Sequence, residues 1–186
     1  NFNILCDATT KESIVIVQHK SDLHQSDTIC KYNSIAKYIP GTNDILVANA
    51  DSLYRLSSDL EILWVKKNEK TWRYWDCLEF NLDTTAFALG ANDGYIRVHS
   101  LIDGSVRQRG SRVHHSSVNS IVFINNNRIA SSGRDGFIII GQFVDRSYKK
   151  LVTILPLSKK NKLYANSEKS HLFYTPDGYY FSQNMS

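Results

Sequence analysis

Six histidines and three cysteines are the residues of this 186-residue chain best suited to serve as metal ligands, bases or nucleophiles. Two of the histidines flank an aspartate in a polar stretch, as His19, Asp22 and His24, but this spacing is too general to define a metal site. His114 and His115 are adjacent. Because adjacent residues of a strand point to opposite faces, these two are poorly placed to share one ion. The sequence therefore predicts no metal site.

Patterns that would position a nucleophile or a phosphate are also missing from the sequence. Cys77 lies in the apolar run WDCLEFN, where cysteine usually serves as a small buried hydrophobe. Neither a Gly-x-Ser-x-Gly turn nor a glycine-rich phosphate loop occurs. We therefore predict that the chain is not an enzyme and that it uses no cofactor.

The composition is that of a globular domain, with 42% hydrophobic and 22% charged residues. The longest apolar runs, such as Phe137 to Ile140, are too short to cross a bilayer, so we expect a soluble chain without membrane insertion. Cys6, Cys30 and Cys77 are widely spaced and odd in number, which favours neither a disulfide framework nor a zinc site. We expect reduced cysteines and an intracellular location, in the cytoplasm or the nucleus.

Positive charge is concentrated in one part of the chain. The formal net charge is +4, yet the segment from residue 104 to 162 carries eleven Lys or Arg residues and two acidic residues, a local net charge of +9. Such an excess can mark a surface for nucleic acid or for an acidic partner, although solvated strands with scattered charge are the more common explanation. Lys159, Lys160 and Lys162 lie in an insertion of this segment, from which they could reach a phosphate backbone.

The elements that must position these residues form a repeat. Three segments agree in their turns and in their apolar positions: NSIAKYIPGTNDILVANADSLYRLS, WDCLEFNLDTTAFALGANDGYIRVHS and NSIVFINNNRIASSGRDGFIIIGQF. Asp51, Asp93 and Asp135 precede the third strand of each unit and are separated by 42 residues in both intervals. Apolar residues alternate at period two between Gly, Asn and Asp turns, which indicates strands. The sequence therefore predicts an all-β fold with a period typical of a four-stranded propeller blade.

Partial units flank the three repeats. The segments LEILWVKK, GSVRQRGS and KKLVTILP supply a fourth strand, whose mixed charge suits the exposed rim. We expect a single β-propeller segment of about four blades. Because a propeller needs closure to remove its unpaired edges, and because the chain begins at Asn1 rather than at Met, we interpret it as part of a larger propeller. The predicted units are a partial blade at 1–32, repeats at about 33–66, 75–110 and 117–155, and a partial blade at 169–186.

The stretch HHSSVNSIVFINNNRIASSGRDGFIII resembles one unit of the WD-repeat family. A unit of that family runs from Gly-His through a first strand, a hairpin turn, a second strand ending in small residues and an Asp-Gly turn to a third strand. The resemblance implies a β-propeller of WD-repeat type, with a buried hydrogen-bond network between the entering loop and the Asp-Gly turn. The residues that it assigns to this network are His115, Ser131 or Ser132, Asp135 and, in the preceding unit, Asp93.

The sequence departs from the family pattern at the end of each third strand, where Trp-Asp is usual. Ser57, His99 and Gly141 stand in the place of the tryptophan. The dipeptide occurs once, at Trp75 and Asp76, but there it opens a first strand. None of the three units therefore carries the family's terminal dipeptide.

The resemblance also implies a non-catalytic scaffold that binds other proteins within a multiprotein assembly. In the family, partners contact residues that open the first strands and residues just before the turn aspartates. The corresponding residues here are Asn33, Trp75 and Asn119 in the first set, and Asn92 and Arg134 in the second. For Trp75, packing between blades is an equally good interpretation.

The alternative function is that of an RNA-associated or ribonucleoprotein assembly protein, which would use the basic segment 104–162. Lys159, Lys160 and Lys162 are the residues expected to contact nucleic acid. No aromatic residues alternate with these lysines, as they usually do in proteins that bind single strands.

Overall fold

The computed structural model describes residues 2–7, 14–19, 26–30, 35–68, 74–157, 170–178 and 180–184. Within these ranges the regular secondary structure consists of β-strands, and within each sheet every strand pairs antiparallel with its neighbours in sequence. The all-β prediction is therefore confirmed. No helix that could cross a membrane occurs among the described residues.

The strands form four sheets that follow one another along the chain. The N-terminal sheet contains β1 (Phe2–Asp7), β2 (Ile14–His19) and β3 (Ser26–Cys30). Sheet 1 contains β4 (Ile35–Tyr38), β5 (Ile45–Ala48), β6 (Ser52–Leu56) and β7 (Ile62–Lys67). Sheet 2 contains β8 (Trp75–Phe80), β9 (Ala86–Ala91), β10 (Tyr95–Ser100) and β11 (Val106–Arg112). Sheet 3 contains β12 (Val118–Asn125), β13 (Arg128–Gly133), β14 (Ile138–Val144), β15 (Ser147–Leu157), β16 (Ser170–Tyr174) and β17 (Tyr180–Asn184).

Asparagine side chains close the turns between the first and second strands of sheets 2 and 3. The Asn81 Oδ1 accepts hydrogen bonds from the backbone N–H groups of Thr85 (3.0 Å) and Ala86 (2.8 Å). The Asn125 Oδ1 accepts one from the backbone N–H of Arg128 (2.8 Å). Asparagine favours such turns because its side chain replaces a backbone partner two or more residues away.

Sheets 1 and 2 face each other across an apolar core. Leu46 and Leu53 of sheet 1 pack in one buried cluster with Trp75, Phe87 and Leu89 of sheet 2. The alternation of apolar residues along each strand brings these side chains to the shared side. Burying a side chain of this size contributes roughly 1.5–3 kcal/mol, so this cluster holds the two sheets together.

A second apolar core joins sheets 2 and 3, and it contains Ala88, Ile96, Val118, Ile121 and Ile129. The first strands β4, β8 and β12 lie next to one another, as do β1 and β4. The innermost strand of each unit is therefore the first, as in a propeller blade.

The first strands are also linked by charge. The Lys37 Nζ lies 2.5 Å from the Glu79 Oε2, and the two residues occupy corresponding positions on β4 and β8. Val122 occupies the corresponding position on β12. It faces away from sheet 2 and is 57% exposed, which is the expected state at the open side of a propeller segment.

The hairpin of β16 and β17 continues sheet 3. Residues Thr153–Leu157 of β15 pair antiparallel with Ser170–Tyr174 of β16, and β16 pairs in turn with β17. The sequence assigned these two strands to a partial unit at 169–186. In the structure they extend the preceding sheet from its outer strand, so sheet 3 has six strands rather than four.

Candidate functional site

One end of the sheets collects the polar residues that the sequence singled out. β8 and β12 both begin at this end, because Trp75 lies opposite Ala91 and Val118 lies opposite Gly133 in the strand registers. The turns between second and third strands return at the same end. We call it the entry end, and it is formed by residues 49–51, 74–76, 91–95, 113–119 and 133–137.

The core of the entry end is the His114 network, which consists of His114, Ser131 and Asp135. The His114 Nδ1 lies 3.0 Å from the Asp135 Oδ1, and its Nε2 lies 2.9 Å from the Ser131 Oγ. The Asp135 carboxylate also accepts hydrogen bonds from the backbone N–H groups of His115 (2.9 Å) and Phe137 (3.2 Å). The imidazole thus ties the loop before β12 to strand β13 and to the β13–β14 turn.

The assignment of His115 as the loop histidine was wrong by one residue. The His114 side chain is 1% exposed and occupies the network, whereas the His115 side chain is exposed. His115 contributes through its backbone N–H, which donates to Asp135. The sequence contained two candidates in a row, and only the burial of one of them distinguishes the two.

The electrostatics of the network favour a neutral imidazole next to a charged carboxylate. Burial lowers the pKa of His114 below its ordinary value, and the Asp135 carboxylate opposes this effect only in part. Burial acts against the charge of Asp135, but hydrogen bonds from His115, Phe137 and His114 hold its pKa below the usual value. The neutral His114 therefore donates through Nδ1–H to the carboxylate and accepts at Nε2 from the Ser131 hydroxyl.

Tyr148 fills the space that Gly141 leaves on β14. A Cβ atom at Gly141 would collide with the Tyr148 phenol, which reaches over it from β15. The Tyr148 ring also packs edge to face against Phe143, with 5.4 Å between the centroids. Burial raises the pKa of Tyr148, so the hydroxyl stays protonated. An aromatic ring from the neighbouring strand thus covers the position at which a WD-repeat unit usually carries a tryptophan.

In sheet 2, His99 occupies the position of the missing tryptophan, at the corresponding end of β10. Its imidazole stacks on Phe87, with 5.3 Å between the centroids, and its Nδ1–H donates to the Gly104 carbonyl oxygen (3.0 Å). Burial lowers the pKa of His99 to about 4. In the preceding turn, the Asp93 Oδ1 accepts a hydrogen bond from the backbone N–H of Tyr95 (3.2 Å). Asp93 therefore braces its own turn.

The turn of sheet 2 contacts the loop that carries His114. The Gly94 carbonyl oxygen accepts hydrogen bonds from the backbone N–H groups of Val113 (2.9 Å) and His114 (3.1 Å). Gly94 has a φ of 84°, and a Cβ atom there would collide with the His114 carbonyl oxygen. Glycine is required at this position for both reasons.

Trp75 is not part of an exposed surface. It is 4% exposed and lies in the core between sheets 1 and 2, with the Arg97 guanidinium 5.7 Å from its ring centroid. The sequence left two interpretations of Trp75 open, and the structure agrees with packing between sheets. The register explains this, because Trp75 occupies the same strand position as the fully buried Val118.

Asp76, Asn119 and Arg134 are exposed at the junction of sheets 2 and 3, and we call these three residues the end surface. Asp76 and Asn119 are the second residues of β8 and β12. The Arg134 backbone N–H donates to the Ser117 carbonyl oxygen (2.9 Å), which fixes the β13–β14 turn against the β12 entry. The backbone that carries the end surface is therefore held in place by hydrogen bonds.

The charges of the end surface influence one another. Desolvation raises the pKa of Asp76, and the Ser117 hydroxyl and the positive charge of Arg134 oppose that rise. An exposed, partly desolvated carboxylate and a guanidinium whose charge acts on it can recognise a partner that offers both a donor and an acceptor.

Asn92, which the sequence predicted as a contact residue, does not belong to the end surface. Asn92 is half-buried, where its backbone N–H donates to the Tyr74 carbonyl oxygen (3.0 Å) and its Oδ1 accepts from the Tyr74 N–H (3.2 Å). Asn92 therefore closes the junction between two strands. Asn33 lies outside the described residues.

The basic residues of the segment 104–162 are distributed between two ends of the sheets. Arg112 and Arg134 lie at the entry end, whereas Arg107, Arg128 and Arg146 lie at the opposite end, as the antiparallel strand order requires. All five are exposed, and they lie at two different ends of the sheets. Residues Lys159, Lys160 and Lys162 lie outside the described residues.

The structure also bears on the residues that were considered for metal binding and for nucleophilic chemistry. Among the described residues no group of three His, Cys, Asp or Glu side chains could hold a metal ion. Cys77 is half-buried and packs against the core of sheets 2 and 3, and burial raises the pKa of its thiol to about 12. A thiol with this pKa is a poor nucleophile. Asp22 and His24 lie outside the described residues.

Asp76 and Tyr148 were missed by the sequence analysis. Asp76 was available as the residue after Trp75, and alternation along β8 would have placed it on the face opposite the buried tryptophan. Tyr148 gave no comparable signal, since its role depends on the pairing of β14 with β15 next to Gly141.

No protein-family model matches this chain, and neither does any curated protein. In contrast, 834 chains of solved structures resemble it, so the fold is common and says little by itself about function. One of them is the structure of U3-55K, a WD40 β-propeller protein, with a TM-score of 0.54 and 13% sequence identity. The match covers 80% of this chain and 50% of that chain, so this chain spans half of the length of that structure. The fold is therefore that of a WD40-like β-propeller segment.

Proposed function

We propose that this WD40-like propeller segment is a non-catalytic scaffold, and that a protein partner docks on its end surface of Asp76, Asn119 and Arg134. The observation that supports this proposal is the exposed, partly desolvated Asp76 carboxylate, on whose pKa the positive charge of the exposed Arg134 acts. Arginine is enriched among residues that contribute most to protein interfaces. A partner with an acidic group opposite Arg134 and a donor opposite Asp76 would match this pair.

Rigidity of the supporting backbone favours the same function. The Ser117 hydroxyl donates to the Asn92 carbonyl oxygen (3.3 Å), and the Ser117 carbonyl oxygen accepts from Arg134 (2.9 Å). These bonds link the turn of sheet 2, the loop before β12 and the turn of sheet 3. A surface that is already ordered loses little conformational entropy when it binds.

The proposal is tested by comparing the partners captured by the unmodified chain and by three variants. Arg134→Ala should reduce capture of the main partner about tenfold or more, because truncation of a hot-spot arginine costs about 2 kcal/mol or more. Arg128→Ala removes an exposed arginine at the opposite end and should leave capture unchanged. Replacing Lys159, Lys160 and Lys162 together by Gln should also have little effect.

Nucleic-acid binding is the alternative outcome of this experiment. In that case the triple lysine variant would lose binding, nuclease treatment would abolish capture, and the affinity would fall steeply with salt. If the lysine variant lost binding while Arg134→Ala was silent, protein docking on the end surface would be rejected.

A further inference from the structure

A cleft lies between sheets 2 and 3, at the end of the sheets opposite to the entry end. Its volume is about 290 Å³, close to the lower limit for sites that bind small molecules. Sheet 2 contributes the β8–β9 turn and residues of β11, and sheet 3 contributes the β12–β13 turn and the end of β14. The cleft is therefore separate from the end surface, which lies at the other end of the same two sheets.

The β8–β9 turn, which forms one wall of the cleft, has a strained backbone. Its Thr84 N–H donates to the Asn81 carbonyl oxygen (3.1 Å), and Thr84 has a φ of 55°. This conformation is rare for a β-branched residue. The same hydrogen bond closes the turn between β16 and β17, where the corresponding residue is Gly178. Strain of this kind persists where the surrounding structure fixes the chain, and it is common at ligand sites.

The negative charge of this wall is bound within the protein. The Asp83 carboxylate accepts four hydrogen bonds, from the Thr85 N–H (3.1 Å), the Thr85 hydroxyl (2.6 Å), the Asn81 amide (2.7 Å) and the Asn126 amide of sheet 3 (2.9 Å). The bonds from Thr85 and Asn81 hold the pKa of Asp83 below its ordinary value, so the group is ionised. A carboxylate has room for about four such bonds. Asp83 therefore joins the two walls and has little capacity left for a ligand.

The positive charge of the cleft is less fully used. Among the described residues, the one hydrogen bond of Arg107 runs from its Nη1 to the Thr85 hydroxyl (3.2 Å), whereas a guanidinium carries five N–H donors. Arg107 is exposed and lines the cleft, as does Asn127 from the opposite wall. The Gln108 Oε1 is shielded from solvent, so it presents no acceptor to the open cleft. The remaining donors of Arg107 match a carboxylate, which binds a guanidinium through two parallel hydrogen bonds.

Apolar side chains complete the lining. Ala86, Val98 and Phe143 border the cleft and belong to the core between sheets 2 and 3. A ligand that carries its charge on a short aliphatic stem can place the stem against these side chains and its charge at Arg107. Inorganic phosphate has no such stem, and at neutral pH its second negative charge would lie near Asp83.

We propose that this cleft binds a carboxylate carried on a short aliphatic stem, with Arg107 as its main contact. Two sources share this chemistry, namely a free small acid such as butyrate and a glutamate side chain of a peptide. The site goes beyond the docking proposed for the end surface. Because the two sites lie at opposite ends of the sheets, either can fail without the other.

NMR titrations of the amide signals at constant ionic strength test the choice of ligand. Butyrate should shift the signals of Thr85, Arg107 and Asn127 in a saturable way. Its neutral isostere butyramide should bind about tenfold more weakly or worse, since hydrogen bonds to a charged group are the stronger ones. Inorganic phosphate should also bind more weakly than butyrate.

Arg107→Gln tests the main contact and should raise the Kd for butyrate about tenfold or more. Arg128→Gln is the matched control, because Arg128 lies at the same end of sheet 3 but donates to Gln142 and does not line the cleft. It should leave the Kd unchanged. Both arginines are exposed, so both variants should unfold at the same denaturant concentration as the unmodified chain.

A capped tripeptide with a central glutamate distinguishes the two sources. Tighter binding of this peptide than of butyrate assigns the site to a protein side chain, and equal or weaker binding assigns it to a free acid. In both cases the counterpart with a central glutamine should bind more weakly than the glutamate peptide.

Four results would overturn the carboxylate site. The first is a titration in which butyrate causes no saturable shift at the residues of the cleft. The second is butyramide that binds as tightly as butyrate. The third is phosphate that binds more tightly than butyrate, which would indicate a general anion site. The last is an unchanged Kd for butyrate in a folded Arg107→Gln chain.

Discussion

The second-to-third strand turns of sheets 1 and 3 lie at the same end of their sheets and carry an aspartate at the same place, but they are stabilised differently. In sheet 3 the Asp135 carboxylate is inside the structure and is bound by His114, whereas the Asp51 side chain is exposed. In sheet 1 the Asn49 Oδ1 accepts from the backbone N–H groups of Asp51 (2.9 Å) and Ser52 (2.7 Å). The same repeat position therefore has two roles.

A residue from a distant part of the chain decides which role applies. The imidazole of His114 reaches the turn of sheet 3 from the loop before β12. The turn of sheet 1 is reached instead by Asn68, whose Nδ2 donates to the carbonyl oxygens of Asn49 (3.0 Å) and Ala50 (2.9 Å). Neutral amides leave no buried charge unpaired when one of them is removed, so the two turns should respond differently to substitution.

The largest difference should follow from loss of the imidazole itself. His114→Ala removes a buried side chain and leaves Asp135 and Ser131 without their partner, so it should destabilise the chain by about 3 kcal/mol. His115→Ala removes an exposed side chain and should change the free energy of unfolding by less than about 0.5 kcal/mol. Denaturant unfolding of both variants measures the difference, and equal losses would show that His115 shares the network.

The aspartates provide the next comparison. Asp135→Ala leaves the His114 Nδ1–H and the His115 N–H without an acceptor, and should cost about 2 kcal/mol. Asp51→Ala should cost less than about 0.5 kcal/mol, because the bonds of that turn run through its backbone. Comparable losses at Asp51 and Asp135 would mean that the two turns depend on the same interaction.

Buried imidazoles also predict a dependence on pH that the amide turn of sheet 1 lacks. The pKa of His99 is about 4 in the folded chain against 6.5 for the free side chain, and that of His114 is also lowered. Between these values the unfolded chain binds more protons than the folded chain, so stability is lost as the pH falls below about 6.5. The slope from His99 should approach about 1.4 kcal/mol per pH unit, and the lowered pKa of His114 acts in the same direction.

His99→Asn separates the two histidines, since asparagine can still donate to the Gly104 carbonyl oxygen but does not titrate in this range. The variant should show a shallower loss of stability between pH 6.5 and about 4 than the unmodified chain. Unfolding measured at a series of pH values tests this. An unchanged slope would mean that His99 is accessible to protons in the folded state.

A smaller effect than that of Asp135→Ala should follow from loss of the amide that closes the turn of sheet 1. Asn49→Ala removes an acceptor for two backbone N–H groups that lie near solvent, so it should cost about 1 kcal/mol. Water can replace the lost amide at an exposed turn, as it cannot inside sheet 3. A loss as large as that of Asp135→Ala would contradict this distinction.

More of the fold than of the candidate site could be predicted from the sequence. The period of 42 residues and the alternation of apolar residues predicted the sheets, since both depend on local pattern. Contacts between separate strands determine which of His114 and His115 is buried. Such contacts also determine that Tyr148 covers Gly141. Trp75 is a further example, because an aromatic residue that opens a strand can pack in a core or contact a partner. The pairing of Trp75 with Ala91 in the strand register places it in the core.

Arg134 and Asp135 are neighbours to which the account assigns opposite roles, one in binding and one in stability. The most direct test measures the partner affinity and the unfolding midpoint of Arg134→Ala in the same preparation, once the captured partner is identified. We expect an affinity that is lower by about tenfold or more, with an unchanged unfolding midpoint. Unchanged affinity in a folded Arg134→Ala chain, with binding lost on replacing Lys159, Lys160 and Lys162 by Gln, would contradict it.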